Sequence, residues 1–319
     1  QSRNPPPPDQ PGRAGRSRLR IGRGRVRELI DHHVAAHATV LDQVHFVRCD
    51  KEVAIRDRDR AFGTNAGWQQ LRQNRATLVI HLIDNADIPE LDVRLLGVDK
   101  TRLTLAGITL VLHQGWGNVG YGRGHNRVLP LLDSDFHLVL NTDVEMASTS
   151  LIKAIDYLET APETVLISPA ATDFLGNKQH LCKSYPSLFI FWLRGFAPPF
   201  VRRKFAKHMA AYERRDLETR PSAKTDSNVA SPVEIVSGCC MLCRTTALQQ
   251  VSGFDPDFFL YFEDFDLSLR LGKLGDVVYL PSMRVRHGGG NAATKGGNHQ
   301  RYFVRSALRF FNKNGWKLF

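Results

Sequence analysis

The chain has 319 residues, of which 42% are hydrophobic and 24% charged, and its formal net charge is +11. This composition is ordinary for a soluble globular protein and excludes a chain that is disordered throughout. The longest uninterrupted apolar stretch, residues 188–193, has six residues, whereas a membrane-spanning helix needs roughly 20.

The positive charge is concentrated in two segments. Residues 1–27 contain eight arginines and one acid, and residues 178–224 contain eleven basic residues and three acids, so the remainder of the chain is net acidic. This distribution differs from that of a uniformly basic nucleic-acid-binding protein, and no nucleic acid is expected as a partner. Residues 1–27, which include Pro5–Pro8, are predicted to form a basic disordered tail.

The predicted secondary structure becomes regular only from residue 76 onward. Residues 28–75 show weak periodicity and match the N-terminal part of an α/β sheet poorly. A short strand is predicted there at 44–47 and a helix at 66–75. Continuous apolar strands that alternate with helices then predict an α/β fold with a Rossmann-like, mostly parallel central sheet and helices on both faces. The predicted strands are 77–83, 108–112, 136–140 and 164–168, and the predicted helices are 126–132 and 151–158.

Residues 176–230 interrupt this alternation and are interpreted as a basic and apolar insert. The sheet pattern resumes at Val233 with a buried strand, and a further strand is predicted at 277–280. The remaining predicted helices are 246–251, 267–274 and 299–312.

Five cysteines lie at positions 49, 182, 239, 240 and 243. Their odd number argues against a disulfide framework, and the pair Cys240 and Cys243 lacks the second pair of ligands that a zinc site needs. We therefore interpret the cysteines as core residues of a protein from a reducing, cytoplasmic setting.

Two predicted strand ends carry polar residues suited to a ligand site. Asp84 and Asn85 end one strand, and Asn141 and Asp143 follow another. Ligands of α/β sheets bind beyond the carboxyl ends of the strands, and residues two apart on a strand point the same way. Asn141 and Asp143 are therefore candidate ligands of Mg²⁺ or Mn²⁺, although an Asx turn at a strand end accounts for the same residues.

A glycine-rich turn, residues 115–124, precedes the helix predicted from Asn126. Glycines let the backbone approach a phosphate or a sugar, and the N-terminus of the following helix favours an anion at the same place. The turn lacks the Gly-Lys-Ser/Thr ending of the Walker pattern, and a plain loop is the alternative interpretation.

The densest cluster of chemically active residues is the segment 255–266, which holds five carboxylates and five aromatic residues. A carboxylate beside aromatic rings suits a general base next to a sugar platform, so Glu263 and Asp264 are the candidate catalytic pair. An aromatic core strand that leads into an Asp-capped helix is the alternative. His287, followed by three glycines, suits a metal or a phosphate, or a structural role.

In this order the motifs resemble the family 2 glycosyltransferases, in particular the bacterial rhamnosyltransferase-like enzymes of surface polysaccharide and O-antigen assembly. The resemblance covers roughly residues 76–319, whereas residues 28–75 match poorly the apolar first strand of that family. The motifs are Asp84-Asn, Asn118-x-Gly-Tyr-Gly-x-Gly-His-Asn, Leu140-Asn-x-Asp-Val, Ser237-Gly-x-x-Met-Leu-x-Arg, Gly253-Phe-Asp-x-x-Phe-Phe-x-Tyr-Phe-Glu-Asp-x-Asp-Leu-x-x-Arg and His287-x-Gly-Gly.

The resemblance implies that residues 76–319 form a catalytic domain of GT-A fold with a nucleotide-diphosphate sugar donor, a divalent cation (Mg²⁺ or Mn²⁺) and an inverting mechanism. It also implies that Asp264 is the catalytic base, with Glu263 beside it. The donor-binding residues by position are Asp84, Asn85, Asn118, Gly120, Tyr121, Asn126 and Arg270, and the metal-binding residues are Asp143, Asn141 and His287.

The activity expected from this resemblance is transfer of rhamnose from a dTDP-sugar to a glycan acceptor that is lipid-linked by family analogy. Transfer of another sugar, such as galactofuranose or glucose, is an alternative, as is a catalytically degenerate membrane-associated scaffold. Residues 189–193 lie in the basic insert, and Arg301, Arg305, Arg309 and Lys313 are spaced four apart. These features predict peripheral contact with an anionic membrane at its cytoplasmic face, against the alternative of a buried segment and a solvated helix face.

Overall fold

The computed structural model describes residues 43–49, 78–85, 108–146, 148–219, 228–288 and 297–319. The tail predicted at 1–27 and the helix predicted at 66–75 lie outside these ranges. The described strands are β1 Gln43–Cys49, β2 Leu78–Ile83, β3 Ile108–His113, β4 Phe136–Leu140, β5 Val144–Met146, β6 Thr164–Thr172, β7 Lys178–Gln179, β8 Cys182–Lys183, β9 Ser231–Pro232, β10 Ile235–Val236, β11 Cys240–Arg244 and β12 Asp276–His287.

The first described helix, α1, begins inside the glycine-rich segment 115–124, and the last, α9, lies near the C-terminal end of the described residues. Their bounds are α1 Tyr121–Asn126, α2 Ser148–Thr160, α3 Leu188–Gly195, α4 Pro199–Lys204, α5 Ala206–Tyr212, α6 Asp216–Thr219, α7 Thr245–Gln250, α8 Glu263–Leu271 and α9 Gly297–Asn314, with a short 3₁₀ turn at Leu129–Leu131. Among the described residues, no helix combines the length and the apolar character needed to cross a bilayer.

The central sheet has the strand order β3-β2-β1-β4-β11-β6-β12-β5. The α/β class is confirmed, but the sheet is mixed rather than mostly parallel. Strands β2 and β3 are parallel, as are β6 and β12, whereas β4 and β11, at the centre, are antiparallel to each other. The sequence pattern misled because a continuous apolar strand indicates burial on both faces and carries no information on strand direction.

Alternate residues of the central strands face two separate hydrophobic cores. Leu138 and Leu140 of β4 belong to one core, and Val139 between them belongs to the other. Helix α2 covers the first face with Leu151 and Ile155, both nearly inaccessible to solvent. Burial of each such side chain contributes roughly 1.5–3 kcal/mol to the free energy of unfolding. Apolar contacts on both faces therefore stabilise the sheet.

Helices α1, α7 and α8 cover the second face, which confirms the prediction of helices on both sides of the sheet. They contribute Tyr121, Leu248 and Leu267 to the second core. Because α1 and α8 lie on the same face, the glycine-rich turn and the acidic segment are neighbours in space.

Strand β8 of the predicted insert pairs with β10, which follows the insert, and α3 to α5 pack around a local core. Ile190 and Leu193 of the apolar run are buried with Ala197 and Tyr212 in a local core. The hydroxyl of Ser187 caps α3 by accepting a hydrogen bond of 3.2 Å from the backbone of Ile190. Two of the six residues of this apolar run are therefore buried in local packing.

The four described cysteines, at positions 182, 239, 240 and 243, are buried and free. Burial raises the pKa of the Cys243 thiol to about 12 and that of Cys182 to about 11. These thiols are protonated and unreactive at neutral pH, which confirms the interpretation as core residues.

Candidate active site

Helix α8 begins at Glu263, directly after two residues with unusual backbone angles. Tyr261 and Phe262 have φ of 70° and 66°, a left-handed conformation that non-glycine residues rarely adopt. The buried ring of Phe262 packs edge-on against Phe191 and lies 5.2 Å from the ring of Phe303. This aromatic packing holds a strained turn that sets the direction of the first residues of α8.

Asp264 is held by two backbone N–H groups. Its Oδ2 accepts a hydrogen bond of 2.8 Å from Gly238, and its Oδ1 accepts one of 2.9 Å from Phe265. Gly238 precedes β11 and is tightly packed, because an added Cβ would lie 3.2 Å from the Cβ of Asp264 and 3.3 Å from the ring of Tyr121. Close packing at Gly238 thus fixes the distance between the carboxylate and Tyr121.

Tyr121 joins the glycine-rich turn to this carboxylate. Its hydroxyl lies 2.6 Å from the carbonyl oxygen of Gly238 and 3.1 Å from Oδ1 of Asn141, both of which can accept its proton. Burial, with Glu263 and Asp264 adding to it, raises the pKa of Tyr121 well above its usual value, so the phenol stays a donor. Three of the predicted site residues, Tyr121, Asn141 and Asp264, therefore meet around one glycine.

Burial raises the pKa of Asp264, although the N–H groups of Gly238 and Phe265 oppose the shift. Burial and the charge of Asp264 raise the pKa of Glu263 well above its usual value. Glu263 Oε2 has no hydrogen-bond partner among the described residues. Of two adjacent buried carboxyls, the better hydrogen-bonded Asp264 is the one suited to carry the charge, and its raised pKa suits it to accept a proton.

Several predicted donor-binding residues hold the glycine-rich turn in place. The side chain of Asn85 accepts from the backbone of Val119 at 3.0 Å and donates to the carbonyl of Gly120 at 3.2 Å. Asn118 accepts from the backbone of Gly120 at 3.1 Å. Asp84 is fully buried at the end of β2. Their contact with a donor stays a prediction. The hydrogen bonds of Asn85 and Asn118 hold the shape of the turn.

Asn126 and Arg270 both make their described contacts within the protein. The amide of Asn126 donates to the carbonyl of Phe254 at 2.6 Å and accepts from its N–H at 2.8 Å. Arg270 donates to the fully buried Asp266 at 2.7 Å and to the carbonyl of Val251 at 2.7 Å. Arg270 is therefore paired with an acid of its own helix, and its predicted contact with the donor stays a prediction.

The turn after β4 separates Asn141 from Asp143. The strand ends at Leu140, and the backbone of Val144 returns to the carbonyl of Asn141, so the alternation of a strand does not apply here. The strand geometry from which both side chains were expected to point the same way therefore does not extend to these two residues. Asn141 faces Tyr121, whereas Oδ2 of Asp143 lies 3.4 Å from Nε2 of His287.

Gln179 fixes the orientation of His287. Its Nε2 donates to the carbonyl of His287 at 3.1 Å, so its Oε1 must be the atom that lies 2.8 Å from Nδ1 of the ring. Nδ1 then carries a proton, and the lone pair of a neutral ring lies on Nε2, opposite the Asp143 carboxylate. Such a carboxylate–imidazole pair is the arrangement that a bound cation would bridge.

Gly238 and Gln179 were not among the site residues predicted from the sequence. The Ser237-Gly motif before a buried strand marked Gly238 as part of the resemblance, but its role depends on Asp264, 26 positions away. Gln179 lies in the predicted insert, where no motif marked it.

Known proteins to which the chain is similar include glycosyltransferases. The model described as "Glycosyl transferase family group 2" matches residues 181–295. An "N-acetylglucosaminyl-diphospho-decaprenol L-rhamnosyltransferase" of Mycobacterium tuberculosis is 33% identical over 182 residues, covering 53% of this chain and 56% of that protein. The "Rhamnosyltransferase WbbL" of Escherichia coli is 27% identical over 177 residues, covering 52% and 61%. Over about half of its length the chain is therefore similar to family 2 glycosyltransferases, and among them to rhamnosyltransferases.

The chain spans a little over half the length of these curated relatives. The residues matched by the family 2 model include Gly238, Asp264 and His287, but not the glycine-rich turn or Asp143. Among solved structures, GalNAc-T7 with UDP, GalNAc and Mn²⁺ aligns with a TM-score of 0.47 at 12% identity, covering 73% of this chain and 41% of that one. A TM-score below 0.5 does not establish a shared fold, so the similarity to family 2 glycosyltransferases rests on sequence alone.

Proposed function

We propose that this protein is an inverting glycosyltransferase in which Asp264 is the general base. The observation that carries the proposal is the placement of Asp264 at the start of α8. Its carboxylate is partly buried and accepts a hydrogen bond from the N–H of Gly238, and burial raises its pKa. A base of this kind accepts a proton from an acceptor hydroxyl while that oxygen attacks the anomeric carbon. One base and a single displacement invert the configuration at that carbon.

On the donor side, Asp143 and His287 are the residues proposed to hold a divalent cation. Their facing atoms and the fixed tautomer of His287 fit a cation with oxygen and nitrogen ligands, although no cluster of three or more such side chains occurs among the described residues. When bound, the cation would neutralise charge on the diphosphate leaving group. Asn141 stays a predicted ligand, with its Oδ1 already in contact with Tyr121.

The substrates are proposed from the relatives. The name of the M. tuberculosis relative gives rhamnose as the sugar and a lipid-linked diphosphate as the acceptor. We therefore propose transfer of rhamnose from a dTDP-sugar to a lipid-linked glycan in polysaccharide synthesis, with galactofuranose or glucose as alternative sugars.

Contact with an anionic membrane is proposed for a surface formed by α3 and α4. Trp192, Phe196 and Phe200 are 45%, 81% and 69% exposed there. The same surface carries basic residues, and aromatic and basic side chains together favour the interface of an anionic bilayer. Those that α4 and the start of α5 contribute, all exposed, are Arg202, Arg203, Lys204 and Lys207.

The predicted basic stripe on α9 contributes less than the sequence suggested. Arg309 and Lys313 form ion pairs with Asp255, at 3.2 and 2.7 Å. Arg301 and Arg305 are exposed and form no ion pair with another residue that the structure describes. The spacing of the basic residues alone does not indicate which of them form ion pairs within the protein.

The test of the proposed function is the variant Asp264→Asn, with Asp257→Asn as the matched control in the same acidic segment. Loss of a general base typically lowers kcat by about 10²–10⁴-fold while the donor still binds. The measurement is transfer from dTDP-rhamnose to a lipid-linked N-acetylglucosaminyl diphosphate, together with dTDP-rhamnose binding by calorimetry. Full transfer by Asp264→Asn would reject the assignment of the base.

A further inference from the structure

Three basic side chains of the predicted insert gather around one buried tyrosine. The ammonium of Lys183 lies 5.9 Å from the ring centroid of Tyr212, and the guanidinium of Arg194 lies 5.6 Å from the same centroid. Arg215 joins them through Glu213, to which it is bonded at 2.6 Å, while Arg194 lies 3.8 Å from the other oxygen of Glu213. These residues come from β8, from the C-terminal ends of α3 and α5, and from the turn that follows α5.

The cluster has more positive than negative charge. Glu213 is the acid that contacts it, and the adjacent Arg214 is paired separately with Asp216 at 3.0 Å. Burial lowers the pKa of Lys183 to about 8, so this lysine is still mainly protonated at neutral pH. A partly desolvated surplus of positive charge is stabilised by an anionic ligand, and guanidinium groups match phosphate oxygens well.

The cluster lies on the same side of the molecule as the base. Strand β8 pairs with β10, and the N–H of Ser237, next to Gly238, bonds to the carbonyl of Leu181 at 2.9 Å. Lys183 is close enough to Asp264 to favour its charged form. In a displacement with inversion the nucleophile and the leaving group lie on opposite sides of the reacting carbon, so cations beside the base adjoin the acceptor rather than the donor diphosphate.

Exposed aromatic side chains flank the cluster. Trp192 and Phe196, two positions before and two after Arg194 in α3, are 45% and 81% exposed. A ligand that reached Arg194 would bring its neighbouring groups over these rings. A ligand that suits both the cations and the aromatic rings is a diphosphate joined to a hydrocarbon chain.

We propose that Lys183, Arg194 and Arg215 bind the diphosphate of a lipid-linked acceptor, with the lipid lying over Trp192 and Phe196. This inference rests on the proposed function, because it assigns the acceptor side to the base Asp264. It explains why the insert combines positive charge with exposed aromatic residues.

The test uses binding rather than transfer, so that its failure is distinct from a failure of the proposed function. The double variant Arg194→Gln/Arg215→Gln removes two largely exposed cations, with side chains 44% and 54% accessible. The control Lys273→Gln/Lys317→Gln removes the same charge from two exposed lysines elsewhere. Geranyl diphosphate, geraniol and dTDP are titrated calorimetrically onto each full chain, and thermal melts check folding.

We expect the wild-type chain and the control to bind geranyl diphosphate, and the double variant to bind it about tenfold or more weakly. Geraniol should bind weakly to all three chains, and dTDP equally to all three. Equal affinity of variant and control for geranyl diphosphate would overturn the proposal, as would no binding by the wild type. If the double variant lost affinity for dTDP alone, the cluster would belong to the donor site and the proposal would also be overturned. Should the double variant melt early, Lys183→Gln is measured in the same way.

Discussion

The N–H of Gly238 donates a hydrogen bond of 2.8 Å to Oδ2 of Asp264. The carbonyl of the same glycine accepts from the hydroxyl of Tyr121 at 2.6 Å. Asp264 belongs to the acidic segment and Tyr121 to the glycine-rich turn, so Gly238 links two motifs that lie far apart in the sequence. The position of the proposed base relative to the donor side therefore depends on the backbone just before β11.

Gly238→Ala should lower transfer activity with little loss of folding stability. The new methyl would lie 3.2 Å from Cβ of Asp264 and 3.3 Å from the ring of Tyr121, so both must move by a few tenths of an ångström. Small displacements of catalytic groups are costly, and we expect kcat to fall by about tenfold or more. Gly195→Ala is the matched control, because an added Cβ there has nothing within 4 Å. Equal kcat for the two variants would contradict this account of Gly238.

Glu263→Gln should stabilise the protein in a pH-dependent way. The pKa of Glu263 is raised in the folded state, first by burial and then by Asp264, so the folded protein holds this proton more tightly than the unfolded chain. The stability contributed by the protonated carboxyl is complete below the ordinary Glu pKa and is lost as the pH rises toward the folded value.

Glutamine mimics the protonated form at every pH. The melting temperature of Glu263→Gln should therefore match that of the wild type near pH 4 and exceed it increasingly toward pH 8. Asp257→Asn, at a carboxylate that is 58% exposed, is the control and should show no such divergence. A wild-type advantage at pH 8 would mean that Glu263 is stabilised as an anion.

Asn126→Ala should affect folding more than donor binding. The amide of Asn126 satisfies both backbone groups of Phe254, and its loss would leave them unpaired at a cost of about 1–3 kcal/mol in the free energy of unfolding. Urea denaturation measures this cost, and dTDP titration measures the donor site. Asn126→Asp keeps the acceptor for the Phe254 N–H and should recover part of the stability. A large loss of dTDP affinity without destabilisation would instead support the direct donor contact that the sequence predicted.

The residues that the sequence placed correctly are those whose signal is local. The strand before Asn141 and the buried cysteines follow from runs of apolar residues. The helix predicted at 267–274 also exists, but it begins four residues earlier, at Glu263 within the acidic segment. The link of Asp264 to Gly238 and of His287 to Gln179 joins residues 26 and 108 positions apart, and such pairing leaves no periodic trace. The mixed sheet escaped prediction for the same reason, since strand direction is set by long connections.

Removal of the exposed aromatic residues of the α3–α4 surface should weaken binding to anionic vesicles. Phe196 and Phe200 are 81% and 69% exposed beside a group of basic residues, so their burial in the interface and the attraction to anionic headgroups act together. We expect the chain to float with phosphatidylglycerol vesicles at low salt, and Phe196→Ser/Phe200→Ser to float far less.

Leu131→Ser/Leu175→Ser provides the matched control, because these leucines are 55% and 89% exposed outside that surface. The control should float like the wild type, and Arg203→Gln/Lys207→Gln should make flotation more sensitive to salt, since exposed charges are screened within about 10 Å at 0.1 M. Flotation of the wild type on neutral and anionic vesicles alike would assign the contact to the aromatic residues alone. Absence of flotation at low salt would reject the membrane contact, while leaving the roles of Asp264 and Gly238 to be decided by the kinetics of their own variants.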